Sequence, residues 1–209
     1  MTDEIAPERL IAIVRTQDGE SAVPLAEAVI AGGISSIEVA LTTPNAFRSI
    51  AAIASRWAGR ACVGAGTVRN GRDAGNAIDA GARFLVGPDF SPGVLQEAQR
   101  AGIPYVPGAL TPSEVGIILG AGLDLIKIFP AGRMGPGYLH DLLAPFPQLR
   151  PVPTGGIDFS NAIAFLSAGA VALGIGSALT GPSGRTGLRG VTARAKRLKL
   201  WIAKSSSPR

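Results

Sequence analysis

The sequence is poor in the side chains that build disulfide frameworks and metal centres. Its 209 residues include one cysteine, Cys62, and one histidine, His140. One cysteine excludes an internal disulfide, and one histidine excludes both a multi-histidine metal site and a catalytic triad with a histidine to spare. We interpret Cys62 as a small buried hydrophobe and His140 as a surface residue of a helix.

Long apolar runs are also absent. No stretch reaches the roughly 18 apolar residues that a membrane-spanning helix requires, and the N-terminus, MTDEIAPERL, is acidic and polar. Hydrophobic residues make up 46% of the chain and charged residues 17%, which is typical of a compact globular protein. We therefore expect a soluble, cytoplasmic protein without a membrane partner, folded as a single domain over residues 1–209 with a frayed tail at 205–209.

The net charge of +5 is not accompanied by other signs of nucleic-acid binding. Much of the excess lies in the last 25 residues, where cations alternate with apolar positions at helical spacing: Arg189, Arg194, Lys196, Arg197, Lys199 and Lys204. This pattern indicates the solvated face of a terminal helix. No RNA-binding aromatic motif or zinc-ligand spacing is present, so we expect no nucleic-acid partner.

Short apolar runs alternate with amphipathic segments about eight times along the chain. The runs are Leu10–Val14, Ser36–Leu41, Ala61–Gly64, Arg83–Val86, Pro104–Val106, Leu123–Phe129, Arg150–Val152 and Val171–Ile175. Glycine closes many of the intervening helical segments, as expected at helix C-termini. Eight strand–helix units predict an α/β fold of the (β/α)8 TIM barrel type, and the alternative is a doubly wound open sheet.

Lysine is rare as well, and Lys127 is the only one in the first 195 residues. It lies within an apolar run that reads as a buried strand. Burial favours the neutral amine, which can attack a carbonyl, although a lysine at a strand end can also reach water or pair with a carboxylate. In a barrel, alternate residues face the lumen, so Lys127 could converge there with Glu38 and Arg15. These three side chains would form either a catalytic site or a structural ion-pair network.

Glycine-rich segments follow the seventh and eighth predicted strands. They are Thr154-Gly155-Gly156-Ile157 and Gly174-Ile175-Gly176-Ser177, in the loops that commonly bind phosphate in this fold. Glycine lets the backbone N–H groups approach an anion, and Ser177 can add a hydroxyl donor. A third segment, Gly64-Ala65-Gly66-Thr67, predicts either substrate contact by its backbone and Thr67 or a plain tight turn.

Together these segments resemble the KDPG/KHG aldolase family, the class I lyases that cleave 2-keto-3-deoxy-6-phosphogluconate or 4-hydroxy-2-ketoglutarate. The matching motifs, in order, are AGGISSIEVALTTPNA, VGAGTV, YVPGALTPSE, IKIFPAGRMGP and VPTGGI. The resemblance implies that Lys127 forms the Schiff base and Glu38 moves protons. It also implies ketoacid-site roles for Arg15, Thr67, Pro88, Phe129 and Thr154, and phosphate binding by Gly155, Gly156 and Ser177. It further implies a phosphorylated 2-keto acid as substrate, no metal or other cofactor, and a homotrimer.

Thr42 stands where some members of that family have an arginine, so Arg15 is expected to carry more of the substrate carboxylate binding. The related 2-keto-3-deoxy-6-phosphogalactonate aldolases also lack that arginine, which leaves the sugar epimer open.

The same barrel also suits two different functions. One is that of an isomerase or synthase in which Lys127 acts only electrostatically, and the other is that of a non-catalytic oligomeric scaffold.

Overall fold

A computed structural model describes residues 5–181 and 187–205, in which parallel strands alternate with helices. The strands are β1 (Leu10–Val14), β2 (Ser36–Ala40), β3 (Cys62–Gly66), β4 (Leu85–Val86), β5 (Tyr105–Val106), β6 (Gly108–Ala109), β7 (Leu125–Ile128), β8 (Arg150–Pro153) and β9 (Leu173–Ile175). The helices are α1 (Ala22–Ala31), α2 (Ala46–Arg56), α3 (Gly71–Asp79), α4 (Pro92–Ala101), α5 (Pro112–Gly120), α6 (Gly135–Leu143), α7 (Ala162–Ser167), α8 (Ser177–Thr180) and α9 (Leu188–Ser205). The predicted α/β class is confirmed.

The strands form a curled parallel arrangement of two hydrogen-bonded sheets. One sheet has the order β5-β4-β3-β2-β1-β9 and the other the order β6-β7-β8. Neighbouring strands follow chain order except that the last strand, β9, pairs with the first, β1. The carboxyl ends of all these strands therefore face the same side of the molecule, which is where polar loops can meet.

Pro107 follows the predicted strand Pro104–Val106 and separates it from a further strand, β6, that the sequence does not predict. Proline has no N–H to donate to a ladder, and the chain changes partner on either side of it: β5 pairs with β4, whereas β6 pairs with β7. The Pro107 carbonyl still accepts a hydrogen bond from the Lys127 N–H at 2.9 Å. The split explains why the described residues contain more strands than the eight apolar runs indicate.

Apolar side chains pack on both faces of the curled sheet. Between strands and helices lies the larger core, which includes Leu10, Ala12 and Val14 of β1. The inner face holds a second cluster: Ile5, Ala6, Ile11, Phe84, Val86, Val106, Leu125, Val152 and Ala172. Burying each large apolar side chain of this cluster stabilises the fold by about 1.5–3 kcal/mol. The inner face is therefore a second packed core that contributes to stability. Ile11 and Leu125 in this cluster confirm the inward parity predicted for their strands.

The terminal helix α9 packs against α1 through Val191, Ala195 and Leu198, which are buried. Two cations of its solvated face also bond to the backbone of other segments. Arg194 donates from Nε to the Leu179 carbonyl at 2.7 Å, and Lys199 donates from Nζ to the Gly33 carbonyl at 2.7 Å. The spacing could not reveal these bonds, because the acceptors lie on helix α8 and in the loop after α1. Helix α9 ends at Ser205, and the rest of the predicted tail, 206–209, lies outside the described residues.

Several smaller predictions concern single residues. Glycines that close helical segments have positive φ, as predicted: Gly33, Gly59, Gly81, Gly102, Gly122 and Gly169. His140 lies exposed on α6, as expected, whereas Cys62 is half-buried and packs against the inner cluster instead of being fully enclosed. Over residues 5–181 and 187–205, no helix has both the length and the apolarity needed to cross a bilayer.

Candidate active site

A cavity of about 780 Å³ lies at the carboxyl ends of the strands. The loops after β1, β3, β4, β7, β8 and β9 contribute the predicted substrate and phosphate residues to its wall: Arg15, Thr67, Pro88, Phe129, Thr154, Gly155, Gly156 and Ser177. Lys127 reaches the same wall from β7. Glu38 lies behind Lys127, and the structure therefore brings all the predicted site residues to one place.

Lys127 and Glu38 form a buried pair on the inner face of the curled sheet. Lys127 is 5% exposed and Glu38 is 2% exposed. The Lys127 Nζ atom lies 3.9 Å from Glu38 Oε1 and 5.3 Å from the centre of the Phe129 ring. The first distance exceeds the 2.7–3.2 Å of a good hydrogen bond, and Glu38 Oε1 has no other hydrogen-bond partner among the described residues. The two groups are therefore close enough to attract each other but far enough apart to act on a third group between them.

Glycines on β3 make room for the carboxylate. A Cβ atom on Gly66 would lie 1.9 Å from Glu38 Oε1, and one on Gly64 would lie 2.5 Å from the Phe84 ring. These residues pair in register with Ala40 and Glu38 of β2. Sequence reasoning assigned the segment to substrate contact or a turn and missed this packing role. The available signal was glycine at alternate positions of a strand, which marks a close approach by a neighbour.

Arg15 and Thr67 form a polar pair at the mouth of the cavity. The Arg15 Nη2 atom donates a hydrogen bond to Thr67 Oγ1 at 3.3 Å. Thr67 has φ +61°, an uncommon conformation for a residue with a branched side chain. Thr42 lines the same cavity. Arg15 is therefore free of Glu38, and its exposed guanidinium faces the solvent side where an anionic substrate would enter.

Hydrogen bonds hold the segment after β8 in a shape suited to an anion. The carbonyls of Thr154 and Gly155 accept from the N–H groups of Ala131 and Gly132 at 2.9 Å and 2.8 Å. Gly155 and Gly156 have φ +82° and +76°. The Thr154–Gly174 bridge directs the Gly155 N–H toward β9, whereas the Gly156 N–H has no backbone partner in the part of the chain that the structure describes. A free donor of this kind beside the cavity can bind a phosphate.

The charge of the cavity favours anions. Arg15 and Lys127 are on its wall, and no Asp or Glu is among the described residues that line it.

Next to the cavity, the loop that carries Pro88 is held by Tyr105, whose hydroxyl donates to the Asp89 carbonyl at 3.0 Å and accepts from the Ser91 N–H at 3.1 Å. Burial raises the pKa of Tyr105 to about 12, so it remains a neutral hydrogen-bonding group.

The described residues bring together no group of three or more His, Cys, Asp or Glu side chains that could hold a metal ion. The chemistry that the site offers is that of an amine, a carboxylate, hydroxyls, a guanidinium and backbone donors. A buried amine next to an unpaired carboxylate can form and break bonds at a carbonyl carbon and move protons there.

Comparisons with known proteins agree with this geometry. The family model for KDPG and KHG aldolase matches residues 1–186. The 2-dehydro-3-deoxy-phosphogluconate aldolase of Treponema pallidum is 40% identical over 73% of this chain and 73% of its own length. A probable 2-dehydro-3-deoxy-6-phosphogalactonate aldolase of Rhizobium meliloti is 33% identical over 83% of this chain and 82% of its own.

A solved KDPG aldolase structure has a similar fold. The KDPG aldolase from Legionella pneumophila, with pyruvate captured at low pH as a covalent carbinolamine intermediate, is 31% identical to this chain. The match covers 92% of this chain and 94% of that one, with a TM-score of 0.83. The likeness therefore extends over nearly the whole fold and includes the strand ends that form the cavity.

Proposed function

This chain belongs to the KDPG and KHG aldolase family, and from that premise we propose that it is a class I aldolase that uses no metal. Its reaction is the cleavage of 2-keto-3-deoxy-6-phosphogluconate to pyruvate and glyceraldehyde 3-phosphate, with 4-hydroxy-2-ketoglutarate as a second substrate. The observation that carries the proposal is the Lys127–Glu38 pair, buried and held 3.9 Å apart beside a cationic cavity.

The proposed reaction begins at Lys127. Its neutral amine attacks the C2 carbonyl of the 2-keto acid, and loss of water gives an iminium that can accept an electron pair. Glu38 takes the proton of the C4 hydroxyl while the C3–C4 bond breaks, and the bonding electrons pass to the iminium to give an enamine. Glyceraldehyde 3-phosphate leaves. Glu38, directly or through water, then returns a proton to C3, and hydrolysis frees pyruvate and the amine.

The remaining residues bind and orient the substrate in this proposal. Arg15 and Thr67 hold the carboxylate end, and the Pro88, Phe129 and Thr154 side chains shape the ketoacid site around the Lys127 amine. Gly155, Gly156 and Ser177 hold the phosphate. The Arg15 guanidinium and the unpartnered N–H group of Gly156 support this orientation.

Borohydride trapping tests the covalent step. Pyruvate plus borohydride should add one stable mass to the protein, and peptide mapping should locate it on Lys127. Lys127→Ala should lose the adduct and at least about 1,000-fold in kcat. Full activity in Lys127→Ala would overturn the proposal, whereas the absence of an adduct in the natural protein would instead support an isomerase or synthase that uses the lysine only electrostatically.

A galactonate-specific aldolase is the second candidate, because the Rhizobium relative carries that name and Thr42 takes the place of an arginine that some family members have. A cleavage assay that compares kcat/KM for the gluconate and galactonate substrates decides between the epimers. Turnover of neither would favour a non-catalytic scaffold on the same fold.

We also propose that the two sheets act as one (β/α)8 barrel that constitutes a single cytoplasmic domain and assembles as a homotrimer. A Thr154–Gly174 bridge and a hydrogen bond from the Val171 N–H to the Pro151 carbonyl at 3.0 Å join β8 to β9. On the other side, Pro107 links β5 to β6 directly. The family resemblance supports the trimer, and light scattering coupled to size-exclusion chromatography tests it.

A further inference from the structure

The loop after the lysine strand is joined to the glycine-rich loop after β8. The N–H groups of Ala131 and Gly132 donate to the carbonyls of Thr154 and Gly155, so that the pairing of β7 with β8 continues beyond the strand ends. Phe129 and Pro130 bulge out between the two regions of pairing. A single short segment therefore carries the amine of Lys127 at one end and contacts the proposed phosphate loop at the other.

The contact at Gly132 is between backbone and backbone. A Cβ atom on Gly132 would lie 2.6 Å from the Gly156 carbonyl oxygen and 2.7 Å from its carbonyl carbon and Cα. Backbone atoms cannot turn away as a flexible side chain can, so any larger residue at 132 must move the loop. The φ angle of Gly132 is outside the left-handed region. An alanine there is thus acceptable to the local backbone and tests the contact alone.

We propose that Gly132 is a positioning residue that fixes the distance between the Lys127 amine and the phosphate loop, and so sets the preference for phosphorylated over unphosphorylated 2-keto acids. This proposal rests on the phosphate role given above to Gly155 and Gly156. The mechanism is geometric. The two loops make backbone contact at Gly132 and Gly156, and the glycine N–H groups proposed to bind the phosphate belong to the loop that this contact positions.

The test compares two substrates in Gly132→Ala. Displacement of the phosphate donors by a large fraction of an ångström should raise KM for 2-keto-3-deoxy-6-phosphogluconate about tenfold or more. The kcat and KM for 4-hydroxy-2-ketoglutarate, which has no phosphate, should stay within about twofold, and the pyruvate–borohydride adduct on Lys127 should form at the natural rate. Equal losses on both substrates, or no change on either, would overturn the proposal.

Gly137→Ala is the matched control. Gly137 lies on α6 five residues further along, its φ is also outside the left-handed region, and a Cβ there would meet nothing within 4 Å. This variant should match the natural protein on both substrates. Failure of the proposed function is read separately, because the natural protein would then form no adduct on Lys127 whatever happens at position 132.

A measurement on the natural protein tests the same coupling if Gly132→Ala does not fold. In a titration with inorganic phosphate followed by amide NMR, the resonances of Gly155 and Gly156 should shift on binding. The Gly132 amide should shift with the same half-saturation, because its N–H bonds the Gly155 carbonyl, and the Gly137 amide should not move. A Gly132 resonance that stays fixed while the other two shift would refute the coupling.

Discussion

The proposed base, Glu38, owes its position to a residue that has no side chain. The carboxylate lies against β3 at Gly66, in space that even a methyl group would occupy. Burying a carboxylate with one oxygen unpartnered lowers the free energy of unfolding. The surrounding strands nevertheless hold Glu38 in this position. The position of Glu38 relative to Lys127 is therefore set by contact with the β3 backbone at Gly66.

The first prediction at this scale concerns Gly66→Ala. The new methyl group should displace the Glu38 carboxylate, and a misplacement of about 1 Å should lower kcat about 100-fold. If Gly66 acts through Glu38, the same change made in a Glu38→Gln background should lower kcat little further. Steady-state kinetics of the four proteins measure this coupling.

Gly116→Ala serves as the control for that series. Gly116 lies on α5, where a Cβ atom would meet nothing within 4 Å, so this variant should keep natural kinetics. Additive losses in the double variant Gly66→Ala/Glu38→Gln would mean that Gly66 matters for some reason other than the carboxylate.

Ser177 allows a second test of the phosphate end. Ser177→Ala removes one hydroxyl donor from the cavity wall, and a hydrogen bond to a charged group is worth about 1.5–3 kcal/mol. KM for the phosphorylated substrate should therefore rise about tenfold or more, while KM for 4-hydroxy-2-ketoglutarate changes by less than about twofold. Equal increases for both substrates would contradict the assignment.

Single residues differ in how far the sequence could predict them. Lys127 was predictable because it is a lone cation in an apolar strand, and strand parity then paired it with Glu38. The packing role of Gly66 was not, since it depends on the register between β2 and β3 and on the rotamer of a neighbour. The same limit applies to Arg194 and Lys199, whose carbonyl acceptors lie far away in the chain.

Among the elements, helix α5 has the clearest local determinant. Thr111 and Glu114 form a capping box: the Thr111 N–H donates to Glu114 Oε2 at 2.7 Å, and the Glu114 N–H donates to Thr111 Oγ1 at 3.4 Å. The Leu110 N–H adds a further donor to the same carboxylate oxygen at 2.9 Å. The box begins the helix directly after β6, next to the cavity loops.

Glu114 makes the stability of this helix dependent on pH. The hydrogen bond from the Thr111 N–H, followed by that from Leu110, lowers the pKa of Glu114 below its usual 4.5. Because the folded pKa is the lower one, this stabilisation is complete above pH 4.5 and is lost as pH falls through the folded value. Because Glu114 is exposed and solvent screens its charge, Glu114→Gln should lower the free energy of unfolding by no more than about 0.5 kcal/mol at pH 7, and the difference should shrink below pH 4.5. Urea titrations over this pH range measure it, and a difference independent of pH would contradict the assignment.

Elements with strong periodicity were predicted almost to the residue. Strand β1 has the bounds of the predicted apolar run Leu10–Val14, because that run is regular and ends at a turn. The change of strand partner at Pro107 was not predictable, since a missing N–H shows that a ladder is interrupted but not which strand comes next. The fold class and family followed from the order of motifs, which the family comparison confirms.

At the scale of the whole molecule, α9 ties the end of the chain to its beginning. Lys199 donates to the Gly33 carbonyl and lies 3.6 Å from Glu8 Oε1, whose carboxylate also accepts hydrogen bonds from Ser35. A Cβ atom on Gly32 would lie 2.5 Å from the Ala195 Cβ, so α9 and α1 are already in close contact. These contacts lie at the opposite end of the strands from the cavity.

Removing the Lys199 charge should therefore weaken the fold without affecting turnover. Lys199→Met keeps the apolar stem and should lower the free energy of unfolding by about 1 kcal/mol, with kcat and KM unchanged. Lys196→Met is the control, because Lys196 is an exposed cation on the same helix; its effect should stay within about 0.5 kcal/mol. Equal urea midpoints for the two variants would show that the contacts of Lys199 add nothing to stability.

Main-chain groups form one end of the cavity, and side chains form the other. In the proposed binding mode, main-chain amides of Gly155 and Gly156 form the anion end together with the Ser177 hydroxyl, whereas the side chains of Gln17, Thr42 and Pro44 line another part of the wall. Point mutations exchange side chains and leave amides in place. Substitutions at residues 17, 42 and 44, in evolution or in a laboratory library, should therefore change which aldehydes the enzyme accepts. Phosphate binding by the main-chain amides should stay the same in these variants.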